Sequence, residues 1–208
     1  MHIPDGFIDA KTWAPLWVVS ATAVGAAAKR AGGKLDDRAV PLLGVTAAFI
    51  FAAQMLNFPV GAGTSGHFSG GVLAAILLGP ASGLLVMSTV LGIQCLVFQD
   101  GGLTALGANI FNMGLVGSVL GYLVYRGIRA TGAGRSVAAF VSAWLAVVCS
   151  ASFCAVELGI SGTVPLRPAL VAMAGVHAII GMVEGAITVM VLGFLERVRP
   201  DLLRLEGI

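Results

Sequence analysis

Long apolar runs alternate with short polar or Gly/Pro-rich breaks, and the runs predict helices over residues 12–28, 40–58, 68–79, 82–98, 103–126, 136–157 and 168–196. The third and fourth runs fall short of the roughly 20 residues that cross a bilayer. They meet at Gly79-Pro80-Ala81-Ser82-Gly83, whose composition suits a tight turn. One long kinked helix is the competing reading of this pair. No repeat, low-complexity stretch or separate soluble segment interrupts the pattern, so a single transmembrane domain over 1–208 is expected.

Composition places these helices in lipid. Hydrophobic residues make up 58% of the chain and charged residues 11%, against about 25% charged in an average soluble domain. The expected fold class is therefore an all-α integral membrane protein of about seven transmembrane helices. The net charge of +2, with no basic stripe, speaks against a nucleic-acid partner. Of twelve basic residues, ten fall in Lys29 to Arg38, Arg126 to Arg135 and the tail from Arg197, leaving Lys11 and Arg167. The positive-inside rule then puts those three segments and the C-terminus in the cytoplasm and the N-terminus outside. Merging the third and fourth runs would break this pattern. The opening MHIPDGFIDAK lacks the features of a secretory signal, so the N-terminus is expected to be mature. No GxxxxGK[ST] run is present, and energy for pumping is expected from a partner or an ion gradient.

Three outer segments break the hydrophobic pattern: Met1 to Asp9, the glycine-rich loop over 57–71 (NFPVGAGTSGHFSGG), and Gln99 to Thr104. Two of the chain's three histidines, His2 and His67, lie in them; the third is His177. The Met1 α-amine, the His2 backbone amide nitrogen once deprotonated, and the His2 imidazole can close adjoining five- and six-membered chelate rings on one metal ion. A nitrogen from His67 would complete a planar set of four, a geometry that favours Ni(II) or Cu(II) over Mg or Ca. Pro4 stiffens the chain just beyond this chelate. Residues 1–10 are thus read as a metal-binding peptide and 57–71 as the outer loop that carries His67.

Gln54, Asn57, Gln94, Asn109 and Asn112 sit near the outer face and serve either as interhelical hydrogen-bonding groups or as a shell orienting the ligands. Cys95, Cys149 and Cys154 match no metal spacing and read as packing residues. His177 and Glu184, seven residues apart, share a helix face and offer a proton relay as a second reading. Small residues four apart, such as Ala21 and Gly25, Ala48 and Ala52, and Gly117 and Gly121, permit close helix contact within or between chains.

MHIPDGF at the start, NFP at Asn57 to Pro59, GTSGH at Gly63 to His67 and FQDGGLTALGANIFNMG at Phe98 to Gly114 together resemble the substrate-binding membrane subunits of nickel and cobalt energy-coupling-factor transporters, the NikM/CbiM type. The resemblance spans nearly the whole chain. It implies a six-helix core plus an N-terminal helix whose free end inserts into the bundle, and Met1, His2 and His67 as metal ligands; Ser65, Gln94, Asn109 and Asn57 are candidates to support them. Ni2+ or Co2+ would be the transported substrate, with no organic cofactor and no enzymatic activity in this chain. GTSGH looks closer to nickel-type members than to the cobalt-type pattern with a Cys before the loop His. The implied partners are a transmembrane coupling subunit, two cytoplasmic ATPases and a small auxiliary membrane protein, in a bacterial or archaeal cytoplasmic membrane. A proton-coupled secondary metal transporter is the alternative.

Overall fold

A computed structural model describes residues 1–32, 39–61 and 64–204, with the side chains at 39, 57–65 and 204 outside that description. Helices occupy Ala10–Gly32 (α1), Ala39–Gln54 (α2), Gly71–Leu78 (α3), Pro80–Phe98 (α4), Leu106–Ala130 (α5), Arg135–Ile160 (α6) and Leu166–Val198 (α7). Helices α4 to α7 are each long and apolar enough to cross a membrane, and α2 is a shorter apolar helix. Within α5, Ile110–Leu120 winds as a wider π-helix. Lys34 and Arg38, counted above among the cytoplasmic charges, lie outside the described residues.

Helix α2 ends at Gln54, short of the predicted 58. Asn57–Gly61 (β1) instead pairs antiparallel with Thr64–His67 (β2), placing Asn57 opposite His67 and Phe58 opposite Gly66. Pro59 accounts for the early stop, since proline removes a helical donor and drives the residue before it into extended backbone. An otherwise helical fold thus carries one small hairpin at the glycine-rich loop, packed against α7.

Between α3 and α4 the chain reverses. Gly79 adopts φ 81° and ψ 159°, with Pro80 opening the next helix. A Cβ on Gly83 would lie 2.9 Å from the Ala75 Cα, whereas residues 75 and 83 of one continuous helix would stand about 12 Å apart. The tight turn is therefore the observed arrangement. Every residue of α3 is buried, which is why this short helix is apolar on all faces. A Cβ on Gly71 would fall 2.8 Å from the Gly117 carbonyl carbon, so α3 and α5 meet backbone to backbone. Gly117 and Gly121 thus pack inside the chain, while Ala21, Gly25, Ala48 and Ala52 face outward.

Helices α6 and α7 run antiparallel, with Gly159 against Leu166, Gly181 against Trp144 and Gly185 against Phe140. The Trp144 indole donates to the Ala178 carbonyl at 2.9 Å, and Arg135 meets Glu196 at 3.0 Å at the far end. This pair presents Glu184 to the interior, where its two carboxyl oxygens accept hydrogen bonds from the Ser69 and Gly70 amides, each at 2.7 Å. Gln54 adds a bond from its side-chain amide to the Ser69 carbonyl at 2.7 Å. The two contacts fix the backbone just after His67.

Glu184→Ala would strand two buried amides, at about 1–3 kcal/mol each. The expected outcome is a melting temperature in detergent several degrees below wild type, with Glu184→Gln recovering part of the loss. A thermal unfolding scan that shows no change for either variant would refute the anchoring role.

Candidate metal centre

The first residues of the chain lie in the bundle, not on its surface. Met1 and Ile3 are fully buried and His2 is 3% exposed. A buried, non-helical backbone must find partners for its N–H and C=O groups, and Asn109 supplies them. Its side-chain oxygen accepts from the Ile3 N–H at 2.8 Å, and its amide donates to the Ile3 carbonyl at 3.2 Å. The Gly102 amide adds a second donor to the same carbonyl at 2.8 Å. The terminal peptide is thus gripped at Ile3 by the Asn109 side chain and by the Gln99 to Thr104 loop together.

That loop needs its glycines. Gly101 has φ 95°, and a Cβ on Gly102 would lie 2.2 Å from the Asp5 nitrogen. The close approach lets the Asp5 carboxylate accept from the Leu103 amide at 3.0 Å and the Thr104 amide at 2.7 Å, with the Thr104 hydroxyl as a third donor. The Thr104 hydroxyl, followed by the backbone donors, holds the Asp5 carboxyl below its ordinary range. Asp9 accepts from the Thr12 amide at 3.0 Å and so caps α1. The Phe7 carbonyl accepts from Thr163, and the Asp9 amide donates to Ser161 at 3.1 Å, joining the peptide to the turn between α6 and α7 as well.

Held this way, His2 stacks on His67 with ring centroids 4.6 Å apart and planes 26° from parallel. His2 Nε2 lies 3.0 Å from the Gln94 side-chain oxygen, and His67 Nδ1 lies 2.7 Å from the Phe68 carbonyl. Both partners only accept, so those nitrogens carry the ring protons and the opposite nitrogens are bare. His2 Nδ1 and His67 Nε2 are each buried without a hydrogen-bond partner. His2 Nδ1 is also the imidazole nitrogen that closes a six-membered ring with the residue's own backbone nitrogen.

Electrostatics keep these groups unprotonated. Burial lowers the Met1 α-amine to about 6, against the opposing pull of Cys154 and Asp100. Burial first, and then the charge of that amine, lowers His2 to about 3. The same two causes, with His2 and His177 adding to them, hold His67 well below the usual histidine range. At neutral pH the pocket therefore offers lone pairs without a proton to displace from either ring. Asp100, half-buried and raised by desolvation, places an oxygen 3.5 Å from His2 Nδ1. A bare imidazole nitrogen and a carboxyl oxygen facing each other in a buried pocket are an arrangement that a cation relieves.

The structure brings Met1, His2, His67, Gln94 and Asn109 to one place; the side chains of Asn57 and Ser65 lie outside the described residues. Asn112 lies apart, donating to Glu157 at 2.8 Å. His177 and Glu184 make no hydrogen bond to each other, since His177 Nδ1 engages the Met173 carbonyl and Glu184 holds Ser69 and Gly70. Sequence reasoning missed the roles of Asp100, Asp5 and Cys154, whose thiol lies 4.0 Å from the Met1 carbonyl oxygen. A carboxylate in each of two glycine-flanked outer segments, IPDGF and FQDGG, was the available signal for the first two.

Residues 2–202 match the CbiM family model, described as the cobalt uptake substrate-specific transmembrane region. The chain is 46% identical over 205 residues to a putative fused nickel transport protein NikMN of Archaeoglobus fulgidus, covering 98% of this chain and 68% of that protein. It is likewise 46% identical to a putative metal transport protein of Haloquadratum walsbyi, over 97% of this chain and 93% of the other. A crystal structure of a truncated transition metal transporter superposes with a TM-score of 0.90 at 31% identity, covering 95% of this chain and 99% of that one. With the family model spanning nearly its full length and relatives this similar, the chain belongs to the CbiM family of metal-uptake, substrate-specific membrane proteins.

Proposed function

We propose that this chain captures Ni2+ in preference to Co2+ at the outer face of the cytoplasmic membrane and delivers it inward as the substrate-specific subunit of an ATP-driven energy-coupling-factor transporter. The observation that carries the reading is the pair of bare, buried nitrogens, His2 Nδ1 and His67 Nε2, on stacked rings beside the Met1 amine. With the His2 backbone nitrogen they supply four nitrogen donors. A planar nitrogen set suits Ni(II), which also stands above Co(II) in the general order of divalent affinity. Gln94 and Asn109 serve the site from outside it, the first orienting the His2 ring and the second the peptide that bears it.

In this proposal the seven helices form one membrane domain, with the N-terminus outside and the three basic segments in the cytoplasm. The ion arrives as the substrate, is met by the lone pair of the terminal amine, releases the proton of the His2 amide to solvent, and is wrapped by the first two residues. Energy for release comes from two cytoplasmic ATPases acting through a transmembrane coupling subunit, with a small auxiliary membrane protein alongside. The nickel and cobalt transport named for the family and for its Archaeoglobus relative supports the substrate class.

Inserting one alanine between Met1 and His2 should abolish tight Ni2+ binding in isothermal titration while the helical circular dichroism stays that of wild type. Unchanged binding would remove the terminal peptide from the site. His67→Ala should weaken Ni2+ by more than the roughly 10–100-fold typical of groups outside the coordination shell. In competition, Ni2+ is expected to displace bound Co2+ at equal concentration; the reverse order would overturn the metal preference.

A further inference from the structure

The turn that follows α4 aims a carboxylate at the metal centre. Gln99 closes the helix in the left-handed region at φ 55°, the one non-glycine residue with positive φ among those described. A side chain in that conformation is strained, and the strain persists only where surrounding contacts impose it. Two sets of contacts do so here. The Gln94 carbonyl accepts from the Asp100 amide at 3.0 Å while the Gln94 side chain holds His2 Nε2, so a single residue sets Asp100 and His2 relative to each other. Gly101 packs on the same group: a Cβ there would lie 3.0 Å from the Asn109 amide nitrogen and 3.5 Å from the His2 ring.

Held in this way, Asp100 Oδ1 stands 3.5 Å from His2 Nδ1, and its Oδ2 is buried with no hydrogen-bond partner. Two acceptors thus face each other with no proton between them. Among the described residues no lysine or arginine is within ion-pair reach of the carboxylate. Its nearest titratable neighbours, the Met1 amine and His2, are both unprotonated at neutral pH. The other outer carboxylates are satisfied, Asp5 by the Leu103 and Thr104 amides and Asp9 by the Thr12 amide and hydroxyl. A buried charge without a partner is unfavourable until an opposite charge arrives.

The captured ion is that charge. A divalent ion brings two positive charges, and the His2 amide nitrogen returns one negative charge once its proton has gone to solvent. The amine and both imidazoles are neutral, so one positive charge is left over, which a low-dielectric pocket holds at a cost unless it is paired. Among the described residues no three His, Cys, Asp or Glu side chains are spaced to share one ion, which leaves Asp100 to act by its charge from outside the coordinating set. We propose that Asp100 is the counter-charge of the metal centre: its carboxylate makes the loaded pocket electrically neutral without ligating the ion, and in doing so sets the affinity for divalent ions. This rests on the reading that Met1, His2 and His67 hold the captured ion.

The test is Ni2+ titration calorimetry on the full chain with its native N-terminus, comparing wild type, Asp100→Asn and Asp100→Glu. Each is paired with a melting scan of the metal-free protein and a d–d absorption spectrum of the nickel-saturated one. Asp100→Asn keeps the shape and removes the charge. It is expected to weaken Ni2+ by roughly 10–100-fold, the range of groups just outside a coordination shell, and to leave the absorption spectrum of the bound ion unchanged. Its metal-free form should melt at or above the wild-type temperature, because an unpaired buried charge has been removed. Asp100→Glu, which keeps the charge, should recover most of the lost affinity. Wild-type affinity in Asp100→Asn, an affinity loss accompanied by a lower metal-free melting temperature, or a Glu variant as weak as the Asn variant would each overturn the counter-charge role. A shifted spectrum in Asp100→Asn would make the carboxylate a ligand and overturn it as well. The alanine-insertion chain separates the two readings. If it binds like wild type, the terminal chelate and its counter-charge fall together; if it does not bind while Asp100→Asn binds like wild type, only the counter-charge is lost.

Discussion

A chain terminus can be buried among apolar helices only if its backbone groups find partners there, and the Asn109 clamp on Ile3 meets that demand. Each feature of the candidate metal centre depends on it. The clamp fixes residue 3, which sets residues 1 and 2 at a defined depth, and the Gly102 and Asp5 contacts set the angle at which the peptide leaves the pocket. A frayed terminus would offer the same nitrogens in water, with the order of the ligands left to chance and the amine protonated. Burial changes both, because desolvation holds the amine and the two imidazoles in the forms that bind metal.

The site is built from two parts with different mechanical character. Its floor is the terminal peptide, tied to α5 through Asn109 and to α4 through Gln94. Its cover is the hairpin bearing His67, tied to α7 through Glu184 and to α2 through Gln54. Glu184, which the sequence offers equally as a proton carrier, instead acts through two backbone amides as the anchor of the cover.

The fold was largely legible from the chain. Apolar runs marked the helices because lipid and a buried interior both exclude charge, and the glycine-proline step at 79–80 marked the reversal. Helix ends were less legible: Pro59 and its glycine neighbours end α2 early, where hydrophobicity alone continues the helix. The candidate donors were legible too, because a histidine beside an α-amine has a chelating chemistry that follows from covalent structure. What holds them was not. Asn109 and Gln94 were plausible as ordinary interhelical polar residues, and nothing in a linear pattern pairs Asn109 with Ile3 across 106 positions.

The sequence by itself therefore determined the membrane class, the order of the helices, and the candidate nitrogen donors at residues 1, 2 and 67, since these follow from hydropathy, turn chemistry and local covalent geometry. Only the tertiary structure decided that the terminus is buried, that two imidazoles stack with their bare nitrogens unpartnered, and that Glu184 serves the hairpin instead of His177. Those outcomes depend on contacts between segments far apart in the chain. Burial and hydrogen-bond pairing are properties of the packed assembly, and they choose among roles that each residue's own chemistry leaves open.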